Sequence, residues 1–271
     1  AVIDQEAKCG TYNIDANTFS DIVNNRKDLT ILYLIASEYD GSNFNVTITD
    51  ARKYANDADS NLPLKLTTAN SQGNFRSVIS IINWVTRNNN FTSDANFNGA
   101  TETSGTVNIP VRLDFSHSTL FKGENNAILT FTEPVILGSN ITFKDIGLRF
   151  NGGLTILNGA SNITFDNCEI ILEPTESPTD NVMFDFIQGA NILFKDSFIY
   201  PTFPEANSGA VFRTQSVSNF KYEGTYLSVV FDPVTGQGVP GQIFILRDTN
   251  SVIIKESIFD GNFAQLIVNS N

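Results

Sequence analysis

The second half of the chain repeats one short pattern five times, and this repeat limits the possible folds more than any other feature. The five aligned segments begin at Asn140, Asn162, Asn191, Asn219 and Ser251. Apolar residues occupy the second, fourth and ninth positions of each segment, and a polar residue lies between the first two in three of the five. Because alternation with a period of two is typical of strands, each unit is predicted to hold short strands with one face turned inward.

A second apolar run lies between the aligned segments, at Leu154–Leu157, Met183–Ile187, Ala210–Phe212 and Ile243–Leu246. A repeat of about 22 to 32 residues with two or three short strands and loops of variable length is typical of a parallel β-solenoid. Each coil of such a fold buries its inner face only by stacking on its neighbours. The sequence therefore predicts stacked parallel coils over residues 105–271.

Stacking in register predicts three ladders of equivalent side chains. An amide ladder is expected at a turn, from Asn140, Asn162, Asn191 and Asn219. An aromatic stack is expected inside, from Phe143, Phe165, Phe194 and Tyr222. A column of alternating charge is expected outside, from Lys144, Asp166, Lys195, Glu223 and Lys255. Cys168 falls in an inward column of mostly small residues, which predicts a buried free thiol.

The first 104 residues carry no repeat. Thr30–Ala36 and Phe44–Ile48 are predicted as strands, Phe75–Arg87 as a helix, and the polar stretch that follows, up to Ser104, as a loop. Residues 1–104 would then be either a cap over the open end of the stack or a small α/β attachment domain. The sequence leaves both alternatives open.

Composition excludes several classes of function. The chain has 17 basic and 29 acidic residues, a net charge of −12, and such a field repels nucleic acids and anionic membrane surfaces. No apolar run of about 18 residues exists, so no membrane-spanning segment is predicted. One histidine and two cysteines leave little from which to build a His-based metal site or a Ser-His-Asp triad. The sequence predicts no metal, no cofactor and no catalytic residue.

The stretch from residue 107 to residue 271 resembles the right-handed parallel β-helix of the pectate-lyase-like superfamily. The turn asparagines and the segments IPVRLDFSHSTLFKG and ILTFTEPVILGSNITFKDIGLRF carry this resemblance. It implies a right-handed parallel β-helix, so the predicted fold is mainly β, with this solenoid preceded by a small α/β cap or attachment region. The superfamily includes pectin-degrading enzymes, alginate lyases, phage tailspikes and adhesins, so the resemblance alone does not assign a function. The short motifs NTD, DD, GHG and RIK of its pectin hydrolases do not occur here.

Five charged residues are candidates for ligand binding. Asp185 and Arg213 are predicted to be outward-facing neighbours in the second apolar run, with Arg247 at an approximately equivalent position. Such a pair would either hold or cleave an acidic sugar, or form a plain ion pair. Asp145 and Asp196 belong to an acidic column at a turn, which is either a ligand surface or a solvated face.

The absence of the superfamily's catalytic motifs favours a non-enzymatic structural or adhesive protein. We expect a phage tail or capsid-decorating component or a cell-surface adhesin, located on a virion or outside the cell. Its solenoid would contact glycan or other surface proteins. The alternative is a polysaccharide lyase or glycoside hydrolase acting on an acidic glycan. No closing segment follows the apolar run Phe263–Val268, which favours a homo-oligomer or an assembly component.

Overall fold

A computed structural model describes residues 10–14, 44–49, 64–68, 93–103, 110–174, 178–203, 209–229 and 240–270. This part of the chain is mainly β, with 22 strands and one short 3₁₀ turn at Thr179–Asn181. No helix within it has the length and apolar character needed to cross a membrane. The predicted helix at Phe75–Arg87 and the predicted strand at Thr30–Ala36 lie outside the described residues.

The strands are β1 (Gly10–Ile14), β2 (Phe44–Thr49), β3 (Leu64–Thr68), β4 (Ser93–Thr103), β5 (Val111–Leu113), β6 (Thr119–Phe131), β7 (Val135–Leu137), β8 (Ile141–Lys144), β9 (Gly147–Phe150), β10 (Leu154–Ile156), β11 (Ser161–Asp166), β12 (Glu169–Leu172), β13 (Val182–Ile187), β14 (Ala190–Lys195), β15 (Phe198–Pro201), β16 (Ala210–Gln215), β17 (Ser218–Glu223), β18 (Tyr226–Val229), β19 (Gln242–Arg247), β20 (Asn250–Lys255), β21 (Ile258–Gly261) and β22 (Gln265–Ser270).

From β7 onward the chain visits three rows of strands in turn. The first row contains β8, β11, β14, β17 and β20, and the second contains β9, β12, β15, β18 and β21. Strand β6 pairs with both β8 and β9 and so joins these two rows. The third row has two parts, β5–β7–β10 and β13–β16–β19–β22. All these pairings are parallel, and a repeat unit contributes one strand to each row.

The pairing register matches the sequence alignment of the repeats. Phe165 pairs with Phe143 on one side and with Phe194 on the other. The ring centroid of Phe165 lies 5.2 Å from that of Phe143 and 4.8 Å from that of Phe194, and the ring planes are 13° apart in both pairs. Tyr222 continues the stack at 5.9 Å, tilted by 40°. The predicted aromatic stack is therefore confirmed.

The amide ladder is also confirmed. Each asparagine donates from Nδ2 to the Oδ1 of its counterpart one unit earlier, at 2.8 Å for Asn162 to Asn140, 2.9 Å for Asn191 to Asn162 and 3.0 Å for Asn219 to Asn191. All four have positive φ angles, between 59° and 63°. Asparagine tolerates this left-handed conformation better than most residues do, which explains why the column holds amides.

The charge column forms outward-facing ion pairs along the first row. Lys144 and Lys195 lie 3.5 and 3.7 Å from Asp166, and Lys255 lies 3.3 Å from Glu223. These side chains are partly exposed, so each pair contributes about 0–1 kcal/mol. The pairs favour this register over a slipped one, because a slip would separate the opposite charges.

A hydroxyl ladder lies at the turn between the first and second rows. Ser197 Oγ donates to the Lys195 carbonyl at 2.7 Å and accepts from the Cys168 amide at 3.0 Å. Thr225 and Ser257 repeat the same bond to the carbonyl two residues earlier. Cys168 takes this place in its own unit as a buried free thiol, as predicted, and burial raises its pKa to about 12.

The expectation of a loop up to Ser104 is wrong, because Ser93–Thr103 is strand β4. It pairs in parallel with β6, from Ser93 opposite Thr119 to Thr103 opposite Phe131. Ala95 and Phe97 turn inward and are fully buried. The many polar and small residues of this strand hide the alternation in the sequence, and a register shift between Asn98 and Ala100 interrupts it. The division into residues 1–104 and 105–271 stays a prediction.

Candidate functional site

The third row is interrupted between β10 and β13, while the other two rows run past this level without a break. One backbone hydrogen bond, from the Gly159 amide to the Ile187 carbonyl at 2.7 Å, closes one end of the interruption. At the other end of β10, Gly152 and Gly153 turn the chain, and Gly153 has a φ of 89° that most side chains would not adopt. The interruption therefore leaves two neighbouring strands that are not paired in register along their length.

A groove of about 460 Å³ lies at this interruption. Its lining combines apolar side chains with charged ones: Leu154, Ile156, Met183, Asp180, Asp185 and Arg213. Thr155 on β10 and Asn158 just after it also line the groove and are exposed. The groove thus offers apolar surface beside hydrogen-bonding groups, which is the usual make-up of a small-molecule site.

Arg213 holds two carboxylates at the edge of the groove. Its Nε donates to Asp185 Oδ1 at 2.7 Å, and its Nη2 donates both to Asp185 Oδ2 and, at 2.9 Å, to Asp180 Oδ2. The Arg213 side chain is 13 % exposed, whereas that of Asp180 is 62 % exposed. The hydrogen bond to Asp185, aided by Asp180, raises the pKa of Arg213 above its ordinary value despite partial burial.

The predicted juxtaposition of Asp185 and Arg213 is confirmed, since the two residues pair directly between β13 and β16. Asp180 was not a candidate from the sequence because it lies in the 3₁₀ turn outside the repeat. With two carboxylates on one guanidinium, the cluster carries a formal charge of −1. A bidentate arginine pair of this kind fixes both side chains in one geometry.

Arg247 does not occupy the position equivalent to Arg213, and this prediction needs correction. Ile245 pairs with Arg213, and Arg247 pairs with Gln215 two residues further along. The side chain of Arg247 is exposed and does not line the groove. The misalignment arose because the apolar runs of β16 and β19 differ in length, so aligning their ends shifts the register.

Asp145 and Asp196 lie one on each side of Asn167 in the turn between the first and second rows. All three have positive φ angles, and Asn167 Nδ2 donates to Asp145 Oδ1 at 2.8 Å. Asp196 Oδ2 lies 3.6 Å from Lys195 Nζ. Neither aspartate lines the groove, so the structure separates these two candidates from the Asp185–Arg213 pair.

Within the described residues, no group of three or more His, Cys, Asp or Glu side chains is arranged to hold a metal ion. Comparison with protein-family models, with curated proteins and with solved structures finds no match for this chain. The function must therefore be argued from the groove and the surfaces of the strands themselves.

Proposed function

We propose that the stacked rows form a right-handed parallel β-helix of the pectate-lyase-like type, and that the protein binds a glycan without cleaving it. We place it on a virion or a cell surface, as a structural or adhesive component. The observation that carries this proposal is the groove between β10 and β13 with its Asp180–Arg213–Asp185 cluster. The parallel rows and their ladders support the fold.

The lining of the groove suits a sugar. A pyranose ring presents apolar C–H faces and a rim of hydroxyl groups, and the groove presents the partly exposed Leu154 and Ile187 beside Asp180 and Thr155. The exposed carboxylate of Asp180 can accept hydrogen bonds from hydroxyl groups. Because the cluster is net negative and the whole chain carries −12, the ligand we propose is a neutral glycan.

The hydrogen bonds that Arg213 makes to Asp180 and Asp185 support binding rather than cleavage. Hydrolysis of a glycosidic bond uses one carboxyl group as a proton donor and a second as base or nucleophile. Both carboxylates of this cluster instead accept hydrogen bonds from Arg213. A lyase acting on an acidic sugar needs a cation to neutralise the substrate carboxylate, and Arg213 is already neutralised by Asp185.

The strands around the groove are held rigidly, which favours recognition. Asp185 and Arg213 lie on paired strands whose inner sides carry Phe184 and Phe212, stacked with ring centroids 5.0 Å apart. The next unit adds Phe244 at 5.1 Å from Phe212. A site that is held in its binding geometry before the ligand arrives loses less entropy on binding.

The test is a binding screen with neutral and acidic polysaccharides, combined with assays for reducing ends and unsaturated products. Thr155→Trp fills the groove without touching the ion pairs, and Arg213→Gln removes the cation. Arg247→Gln is the matched control, an exposed arginine outside the groove. We expect binding of a neutral glycan without products, weakened in both groove variants and unchanged in the control. Sustained turnover of alginate or pectate would instead establish the lyase or hydrolase alternative.

We also propose that copies of the chain assemble with each other. Large apolar side chains are exposed on β22, namely Leu266 and Ile267. Exposed apolar patches of this kind are typical of interaction sites. Light scattering should give a mass above 29.8 kDa that rises with concentration. A mass of one chain at all micromolar concentrations would contradict this proposal.

A further inference from the structure

A column of large side chains lies on the outer side of the second row, away from the groove. Phe198 pairs with Tyr226, and Tyr226 pairs with Ile258 on the next strand. Phe198 is 48 % exposed and Ile258 is 61 % exposed. The rings of Phe198 and Tyr226 lie 6.0 Å apart at 51°. We call Phe198, Tyr226, Ile258 and the neighbouring Asp260 the aromatic strip.

The strip combines aromatic faces with a fixed hydrogen-bonding group. The Tyr226 hydroxyl donates to Asp260 Oδ2 at 2.8 Å, which orients the tyrosine ring. This hydrogen bond raises the pKa of Tyr226 above its ordinary value. The second oxygen of Asp260 stays available to accept a hydrogen bond from a ligand, because Asp260 is exposed.

We propose that the aromatic strip is a second glycan-binding surface, which takes a neutral polysaccharide by stacking sugar rings on Phe198 and Tyr226. Hydroxyl groups of the same sugars donate to Asp260. None of the strip residues lines the groove, so the strip binds independently of the proposed groove site. A chain that reached both surfaces would bind with higher avidity than either surface gives alone.

Charge and size favour a glycan over a protein as the occupant. The centre of a protein–protein interface is depleted of charged residues, whereas this strip has Asp260 within it and Glu169 paired to Phe198 at its edge. It spans three strands, roughly 10 Å, so its area is on the order of 100 Å², far less than the ~800 Å² that each partner contributes to a typical interface. An acidic polysaccharide is disfavoured by the net charge of −12.

The experiment is affinity electrophoresis of the whole chain in native gels that contain galactomannan, hydroxyethylcellulose, dextran or, as the acidic comparison, alginate. Phe198→Thr removes the exposed ring while keeping a good strand former. Ile253→Thr is the matched control, because Ile253 is an exposed apolar residue on the first row. Thermal melting verifies that each variant is folded.

We expect at least one neutral polysaccharide to retard the wild type. Phe198→Thr should weaken that retardation by about 10-fold, in line with the stabilisation of one aromatic contact. The loss should also appear in the Thr155→Trp background, which separates the strip from the groove. Retardation that Phe198→Thr leaves intact while Thr155→Trp abolishes it would overturn the strip and keep the groove.

Two further results would also overturn the strip. One is the absence of retardation by every neutral polysaccharide in the panel. The other is a loss of self-association in Phe198→Thr without any change in retardation, which would assign the strip to protein contact. Loss in Phe198→Thr with no effect of Thr155→Trp would support the strip and reject the groove.

Discussion

Replacing Asn191 tests whether the amide ladder stabilises the stack. Asn191 donates to Asn162 and accepts from Asn219, and its φ of 59° is left-handed. Asn191→Ala removes both side-chain bonds and forces a β-carbon-bearing residue without a polar group into that conformation. Asn191→Gly removes the same bonds but accepts the positive φ.

The expected magnitudes follow from these contacts. Two exposed hydrogen bonds contribute about 1 kcal/mol together, at the low end of the usual range. The left-handed conformation costs alanine about 1–2 kcal/mol. Asn191→Ala should therefore lower the free energy of unfolding by about 2–3 kcal/mol in total. Glycine avoids the conformational cost but loses ~0.5–1 kcal/mol through its greater freedom in the unfolded chain. The free energy of unfolding of Asn191→Gly should therefore be about 0.5–1 kcal/mol higher than that of Asn191→Ala.

Urea denaturation followed by circular dichroism measures these differences, with Asn250→Ala as the control. Asn250 is an exposed asparagine without a positive φ. The predicted order of stability is wild type and Asn250→Ala highest, then Asn191→Gly, then Asn191→Ala. An alanine variant as stable as the glycine variant would refute the left-handed turn, and two variants within 0.5 kcal/mol of the wild type would refute the ladder.

Three further predictions concern the interior. Tyr222 has a buried hydroxyl with no hydrogen-bond partner in the part of the chain that the structure describes, so Tyr222→Phe should raise the unfolding free energy by up to about 1 kcal/mol in urea titrations, and a loss would contradict this. Ser197→Ala leaves the Cys168 amide unpaired and should cost about 1–3 kcal/mol by the same assay, whereas Ser197→Thr should cost less. With its pKa near 12, Cys168 in a Cys9→Ser chain should resist a thiol reagent at pH 9 until denaturant unfolds the protein, and rapid labelling of the folded chain would contradict this. The stability that the buried protonated thiol contributes should be lost as pH rises from 9 towards 12.

The ladders could be predicted from the sequence because stacked units put every aligned column in one place. The asparagine, phenylalanine and lysine–aspartate columns needed only the alignment and the strand period. The alignment showed the hydroxyl column as a column of small inward residues. It did not predict the hydrogen bonds that these hydroxyl groups donate to the carbonyl two residues earlier. That role depends on the turn geometry, which the alignment does not contain.

The groove could only partly be predicted. The pair of Asp185 and Arg213 followed from the repeat, but the interruption beside it did not. The interruption lies between β10 and β13, whose mutual placement no repeated column specifies. The predicted position of Arg247 was wrong because apolar runs determine which face of a strand points inward but do not distinguish registers that differ by two residues. A shift by two keeps the same face, so hydrophobic patterning cannot detect it.

The ladders and the groove both depend on the units being stacked in the described register, and disulfide trapping tests this directly. Thr142 and Thr164 pair on the first row, so their Cα atoms lie at the strand spacing of about 4.8 Å, within the range of a disulfide. In a Cys9→Ser chain, Thr142→Cys with Thr164→Cys should cross-link on mild oxidation, as read by peptide mass spectrometry. Thr142→Cys with Asp166→Cys, offset by two residues and roughly 8 Å apart, should stay reduced. Cross-linking of the offset pair alone would contradict the register, and with it the pairing of Asp185 and Arg213 at the groove.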